Sequence, residues 1–186
     1  MKEKHVIVIN GKGGSGKDTL YQFAAKRWNS LMISSIDPIK QAAKVLNWDG
    51  SKQLKDRKFL ADLKELSIKY NDYPNTHLLN YLSVFLKNSY FEILFVCIRE
   101  PDEIKKFVDS VYEKYNYNPI TLLIRRNGLT NDTYGNTSDD NVENYPYNVV
   151  YDNDKTLALA ETDFNQFLLN VLNARKGQGI SYIFNY

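Results

Sequence analysis

The residues best equipped for chemistry lie early in the chain, where Gly11-Lys12-Gly13-Gly14-Ser15-Gly16-Lys17 puts four glycines and two lysines into seven positions. Glycine reaches positive φ without steric cost and lets another group come close to the backbone. A glycine loop leading into a helix therefore turns several N–H groups toward one point, and the helix N-terminus adds its dipole. Such a cradle suits an anion, phosphate above all. Lys17 would set its ammonium on the β- and γ-phosphates of a nucleotide. Asp18 stands where the pattern G-x-x-x-x-G-K-[ST] has its Mg²⁺-binding hydroxyl, and Thr19 follows one position later.

Four arginines could complete a phosphate site, since phosphoryl transfer asks mainly for in-line positioning and neutralised oxygens. Arg125 and Arg126 follow a strand-like run and lead into a polar stretch; alternation along a strand puts only one of them on a given face. The alternative for the pair is an exposed loop edge. Arg99 follows another buried run, at the carboxyl end where open α/β sheets bind ligands. With Arg57 it could grip an acceptor phosphate through a bidentate fork, although a solvated helix face explains Arg57 as well. Asp37 either orients an acceptor hydroxyl or caps a helix. His5 and His77 read as structural residues, and Cys97 as a small buried apolar one.

The elements that must position these residues alternate between strand and helix, which predicts an α/β fold with a mainly parallel five-stranded sheet. His5–Ile9 is a β-branched run of the kind buried on both faces. Further strands are expected at Leu31–Ser34, Ile93–Ile98, Ile120–Ile124 and Tyr147–Tyr151. Helices are expected at Thr19–Trp28, at Ile39–Leu46 with Asp37–Pro38 as its start, and at Ser51–Tyr70 and Thr76–Leu86 across a breaker-rich joint, Asn71–Asn75. Pro101–Tyr115, with Asp102 and Glu103 in its first turn, and Thr156–Leu172 complete the set. The polar stretch Asn127–Tyr145 is long for a structureless connection in a compact domain and reads as a lid.

Bulk properties narrow the classes. At 186 residues one domain is expected, and 43% hydrophobic residues allow a sizeable core. Lys plus Arg number 24 and Asp plus Glu 22, a balance too even for a nucleic-acid partner. A single cysteine excludes an internal disulfide and a cysteine zinc site. No apolar stretch approaches the roughly 20 residues that span a bilayer, and no signal-peptide pattern is seen, so the cytoplasm is expected and a membrane partner is not.

Gly16-Lys17-Asp18-Thr19 resembles the P-loop of nucleoside monophosphate kinases, and bacteriophage-type deoxynucleoside monophosphate kinases in particular. Asp37-Pro38-Ile39-Lys40 is similar to the helix start near that family's acceptor site, and Lys55-Asp56-Arg57 to its acceptor-side arginine segment. Arg99 with Pro101 and Glu103 resembles a V-R-x-P-x-E segment. Ile124-Arg125-Arg126 resembles the start of the lid, and Gly135 through Ser138-Asp139 a G-x-x-S-E lid pattern. Asp152-Asn153-Asp154 before Thr156-Leu157 is similar to the N-D-G-[ST]-L segment near the adenine. The resemblance implies a three-layer P-loop domain over residues 1–174, with a lid at about 125–146 and a tail at 175–186. It implies ATP on the Gly11–Thr19 loop with Asn153, Mg²⁺ at Thr19, and an acceptor held by Asp37, Lys40, Arg57 and Arg99. Small-molecule nucleotides would be the partners, and the chain would act as a monomer or homodimer. Where the family has an acidic residue at the end of its third strand, this chain has Cys97.

Two other readings share these residues. Lys12-Gly13-Gly14-Ser15-Gly16-Lys17 also resembles the K-G-G-x-G-K loop of partitioning-type ATPases, in which the early lysine reaches across a dimer; Asp18, the chain length and the arginine-bearing lid fit that group less well. A nucleotide-binding protein without transfer activity is the other, and the residue at Cys97 keeps it open.

Overall fold

The computed structural model describes residues 3–51, 53–128 and 141–178. Five strands, β1 (His5–Asn10), β2 (Ser30–Ser34), β3 (Ile93–Cys97), β4 (Ile120–Arg125) and β5 (Val149–Asp152), form one sheet in the order β2-β3-β1-β4-β5. Each neighbouring pair is parallel, so the described sheet is wholly and not merely mainly parallel. The helices are α1 (Lys17–Ala25), α2 (Asp37–Val45), α3 (Leu54–Asn71), α4 (Tyr73–Lys87), α5 (Pro101–Tyr115) and α6 (Leu157–Ala174), with a short 3₁₀ turn at Val142–Asn144.

Strand periodicity divides the core in two. Val6 and Val8 of β1 face one layer with Leu94 and Val96, against Leu78, Leu82 and Phe85 of α4 and Ile104, Phe107 and Val111 of α5. Ile7 and Ile9 face the other, against Leu20 and Phe23 of α1 and Phe164, Leu168 and Leu172 of α6. Helices on both faces explain why β1 carries no polar alternation. The register pairs Ile9 with Cys97, Cys97 with Ser34, Asn10 with Leu123 and Arg125 with Asp152. Every strand thus ends at one edge, and the residues that follow the strands meet there.

Each expected strand and helix is present, most with shifted ends and Pro101–Tyr115 with both ends as expected. The Asn71–Asn75 joint shrinks to Asp72, left-handed at φ 51°, because Pro74 sits in the first turn of α4, where proline starts a helix. β5 begins at Val149, later than Tyr147, whose hydroxyl bonds the Asn10 side chain at the end of β1 and Val142 O. Asp37 does not cap α2 from outside. It is the first helical residue, and its Oδ2 accepts the Ser34 N–H at 2.8 Å, which closes the β2–α2 turn. Most of the expected lid, residues 129–140 with Gly135, Ser138 and Asp139, lies outside the described residues, as does the tail beyond 178. No helix among the described residues is long and apolar enough to cross a membrane.

Phe107 is fully buried between α5 and the sheet. Phe107→Ala is expected to cost about 3–5 kcal/mol in urea denaturation. Leu66→Ala, at a position 64% exposed, should stay within about 0.5 kcal/mol of the parent.

Candidate phosphate-binding site

The loop between β1 and α1 has the backbone that its glycines permit. Gly14 and Gly16 sit at φ 79° and 92°, and Gly11 at φ 154°. A Cβ on Gly11 would lie 2.5 Å from the Ile124 carbonyl oxygen and 2.7 Å from Ser15 Oγ. At Gly16 a Cβ would run into the Asn153 side-chain amide. Inside the loop Ser15 N–H donates to Lys12 O at 3.1 Å, and the first helical bond runs from Leu20 N–H to Gly16 O at 3.0 Å. The N–H groups of Lys17, Asp18 and Thr19, in the first turn of α1, therefore have no acceptor within the helix. Lys17 Nζ donates to Gly11 O and, at 3.1 Å, to Lys12 O, so its ammonium lies over the mouth of the loop. Bare N–H groups beside an ammonium can hold a polyphosphate.

Two buried asparagines clamp this loop. Asn10 ends β1; its Oδ1 accepts the Gly11 N–H at 2.8 Å. Its Nδ2 donates to Arg99 O at 2.9 Å and to the Tyr147 hydroxyl at 2.7 Å, which in turn donates to Val142 O at 2.8 Å. Burial pushes the Tyr147 phenol up to about 12, so it remains a donor. On the other flank Asn153 Nδ2 donates to Ser15 O at 2.8 Å, and Asn153 N–H to Arg125 O at 2.8 Å. Asp154 accepts the Asn127 N–H at 2.7 Å and fixes the turn that carries Arg126.

Cys97 marks the centre. Burial pushes its thiol up to about 12 against the pull of Lys17, with Asp18 and Asp37 adding to the rise and Arg99 opposing it. Four of the residues singled out in the sequence thus act electrostatically on the end of β3. A thiol held protonated does not ligate Mg²⁺, a hard ion that prefers oxygen. Around it Ser35 N–H and Ser34 Oγ donate to Cys97 O at 3.1 and 3.3 Å.

Lys12 and Arg125 share one partner, Glu143, at 3.9 and 3.3 Å. Arg126 and Lys40 are exposed and form no ion pair among the described residues, while Arg57 is partly buried in the first turn of α3. Sequence reasoning missed Asn10, Tyr147 and Glu143. A polar residue closing the apolar run of β1 was the one local signal for Asn10. It also missed Lys64, buried on α3, whose Nζ lies 2.7 Å from Glu100 and 2.8 Å from Glu103. This cluster ties α3 to the segment just after Arg99. Beside it a cavity of about 230 Å³ opens between α3, α4 and α5, next to Ser35 and Ile98.

No protein-family model matches the chain, and no curated protein matches it. Solved structures do. A Chloroflexus aurantiacus protein described as a candidate kinase shares 15% identity over 94% of this chain and 98% of its own, with a TM-score of 0.59. The tunicamycin resistance protein of Deinococcus radiodurans shares 11% identity over 97% of this chain and 100% of its own, with a TM-score of 0.54. The likeness establishes the fold, a three-layer α/β architecture with a five-stranded parallel sheet.

Removing the cation from the Lys64 cluster gives a pH-dependent expectation. Burial raises the Glu103 carboxyl above its usual range, Lys64 opposes this, and Glu100 adds to the rise. A carboxyl raised in the folded state favours folding at low pH and loses that stability as pH climbs through its folded value. Lys64→Met should therefore cost about 3–5 kcal/mol at pH 8 and less at pH 5, since the raised Glu103 carboxyl gains a proton more readily as pH falls. Urea denaturation at the two pH values checks this; an equal loss at both would contradict it.

Proposed function

We propose that this chain transfers the γ-phosphoryl group of ATP to a small phosphorylated acceptor, and that the acceptor is a (deoxy)nucleoside monophosphate. The observation that carries the reading is the geometry of the glycine loop, where the Lys17 ammonium bonds the Gly11 and Lys12 carbonyls beside the bare N–H groups in the first turn of α1. A fold shared with a protein described as a candidate kinase supports it.

In this reading the N–H groups of Lys17, Asp18 and Thr19 and the Lys17 ammonium hold the β- and γ-phosphates, and Asn153 keeps the loop in shape through Ser15. Arg99, with Arg57 and Lys40 on the acceptor side, holds the acceptor phosphate. Arg125 and Arg126 bring positive charge from the lid. An oxygen of the acceptor phosphate attacks the γ-phosphorus while its bond to the β–γ bridging oxygen breaks, giving ADP and a nucleoside diphosphate. The nucleophile is already anionic, so no general base is needed, and Asp37 orients the acceptor. Asp18, Asp37 and the Thr19 hydroxyl would hold Mg²⁺, which neutralises phosphate charge when bound and needs few protein ligands.

A nucleotide-binding protein without transfer is the second reading, favoured by the protonated thiol of Cys97 where a metal-binding carboxylate would serve. The two separate when ADP and nucleoside diphosphate are measured with ATP, Mg²⁺ and each ribo- and deoxynucleoside monophosphate. Equal amounts of both products with one acceptor support transfer. ADP without any acceptor would support an ATPase, and bound ATP with no product a binding protein. Arg99→Ala should raise the acceptor KM about tenfold and the ATP KM far less, because a lost charged hydrogen bond is worth about 1.5–3 kcal/mol. An unchanged acceptor KM and kcat would remove Arg99 from the site.

A further inference from the structure

Glu143 is a carboxylate set between two cations beside the glycine loop. Its Oε1 lies 3.9 Å from Lys12 Nζ and its Oε2 3.3 Å from Arg125 Nη2, so one side chain bridges the loop and the end of β4. A carboxylate has the charge sign of the phosphates that the loop suits, and it engages cations that those phosphates would need.

The backbone beneath that carboxylate is fixed without the ion pairs. Val142 is fully buried, and its carbonyl accepts the Tyr147 hydroxyl at 2.8 Å. The same hydroxyl accepts from Asn10 Nδ2 at 2.7 Å, and Asn10 Oδ1 holds the Gly11 N–H at 2.8 Å. Neutral hydrogen bonds thus join the Val142–Asn144 turn to the loop, and Glu143 is not needed for that join.

The carboxylate itself is held loosely. The side chains of Lys12, Glu143 and Arg125 are 38%, 46% and 48% exposed. Lys64, by contrast, is 9% exposed and meets its two glutamates at 2.7 and 2.8 Å. Exposed ion pairs contribute little and are screened by salt. Phosphate oxygens offer more charge and more acceptors, and make stronger charge-assisted bonds to lysine and arginine. Repulsion from a bound phosphate would turn the Glu143 side chain toward solvent, to which it is already half open.

We infer that Glu143 is an exchangeable counter-anion, which neutralises Lys12 and Arg125 before nucleotide binds and yields both to the incoming phosphates. This rests on the reading of the glycine loop as a phosphate site. Its consequence is that Glu143 weakens the binding of polyphosphates.

Calorimetric titration of ATP and of inorganic tripolyphosphate into the wild type and Glu143→Gln, at about 50 and about 500 mM KCl, tests it. Glutamine keeps the size of the side chain at a half-exposed position, so the fold is not at stake. At low salt the variant should bind both ligands about three- to fivefold more tightly, the range of an exposed ion pair. The advantage should shrink at high salt. In a Lys12→Met, Arg125→Met background, which binds more weakly throughout, the same substitution should change affinity by less than about 1.5-fold. Equal or weaker binding by Glu143→Gln, with the wild type still binding ATP, overturns this inference and leaves the phosphate site standing. An advantage that persists in full without the two cations also overturns it, because Glu143 would then act through its general field. Binding of neither ligand by either protein overturns the inference and the phosphate reading together.

Discussion

A loop made largely of glycine has few side chains with which to hold its own shape, so its neighbours must impose that shape. Here two buried amides do so from opposite sides. Asn10 grips the Gly11 N–H, and Asn153 grips the Ser15 carbonyl. Each amide is also bonded elsewhere, Asn10 to Arg99 O and the Tyr147 hydroxyl, Asn153 through its backbone to Arg125 O. The loop, the strand end before Arg99, the Val142 turn and the end of β4 are therefore one hydrogen-bonded unit. Loss of either amide would leave buried backbone groups unpaired, which costs more than the bond itself contributes.

The parallel sheet makes this unit possible. With every strand running the same way, the residues after β1, β2, β3 and β4 reach one edge, and charge accumulates there. Lys17 and Arg99 oppose Asp18 and Asp37 around a protonated Cys97. Farther out, Lys64 offsets Glu100 and Glu103, so the ground beyond Arg99 changes from basic to acidic within one turn of α5.

Much of this was legible in the residues. β1 shows itself because burial on both faces allows an unbroken β-branched run. Pro101–Tyr115 matched its helix end to end, since proline and two acids start it. The glycine loop could be read because few other residues tolerate its φ values. The clamps were not legible, because Asn10 bonds Tyr147 and Asn153 bonds Ser15 across more than a hundred residues. Lys64 looks like its exposed helix neighbours Lys58 and Lys69 until tertiary packing puts it beside two glutamates. Asn75 sat within a stretch that reads as a loop, and only the helix beginning at Tyr73 brings it to the cavity. Asp37 matched the expected helix start, but its carboxylate serves the turn before the helix.

The central claim is that the Gly11–Thr19 loop binds the phosphates of ATP through Lys17. Calorimetric titration of ATP and Mg²⁺ into the wild-type protein and into Lys17→Ala, with melting curves confirming that both are folded, tests it most directly. Saturable binding by the wild type, weakened at least about tenfold in the variant, is the predicted result. Equal ATP affinity in the two proteins would contradict it.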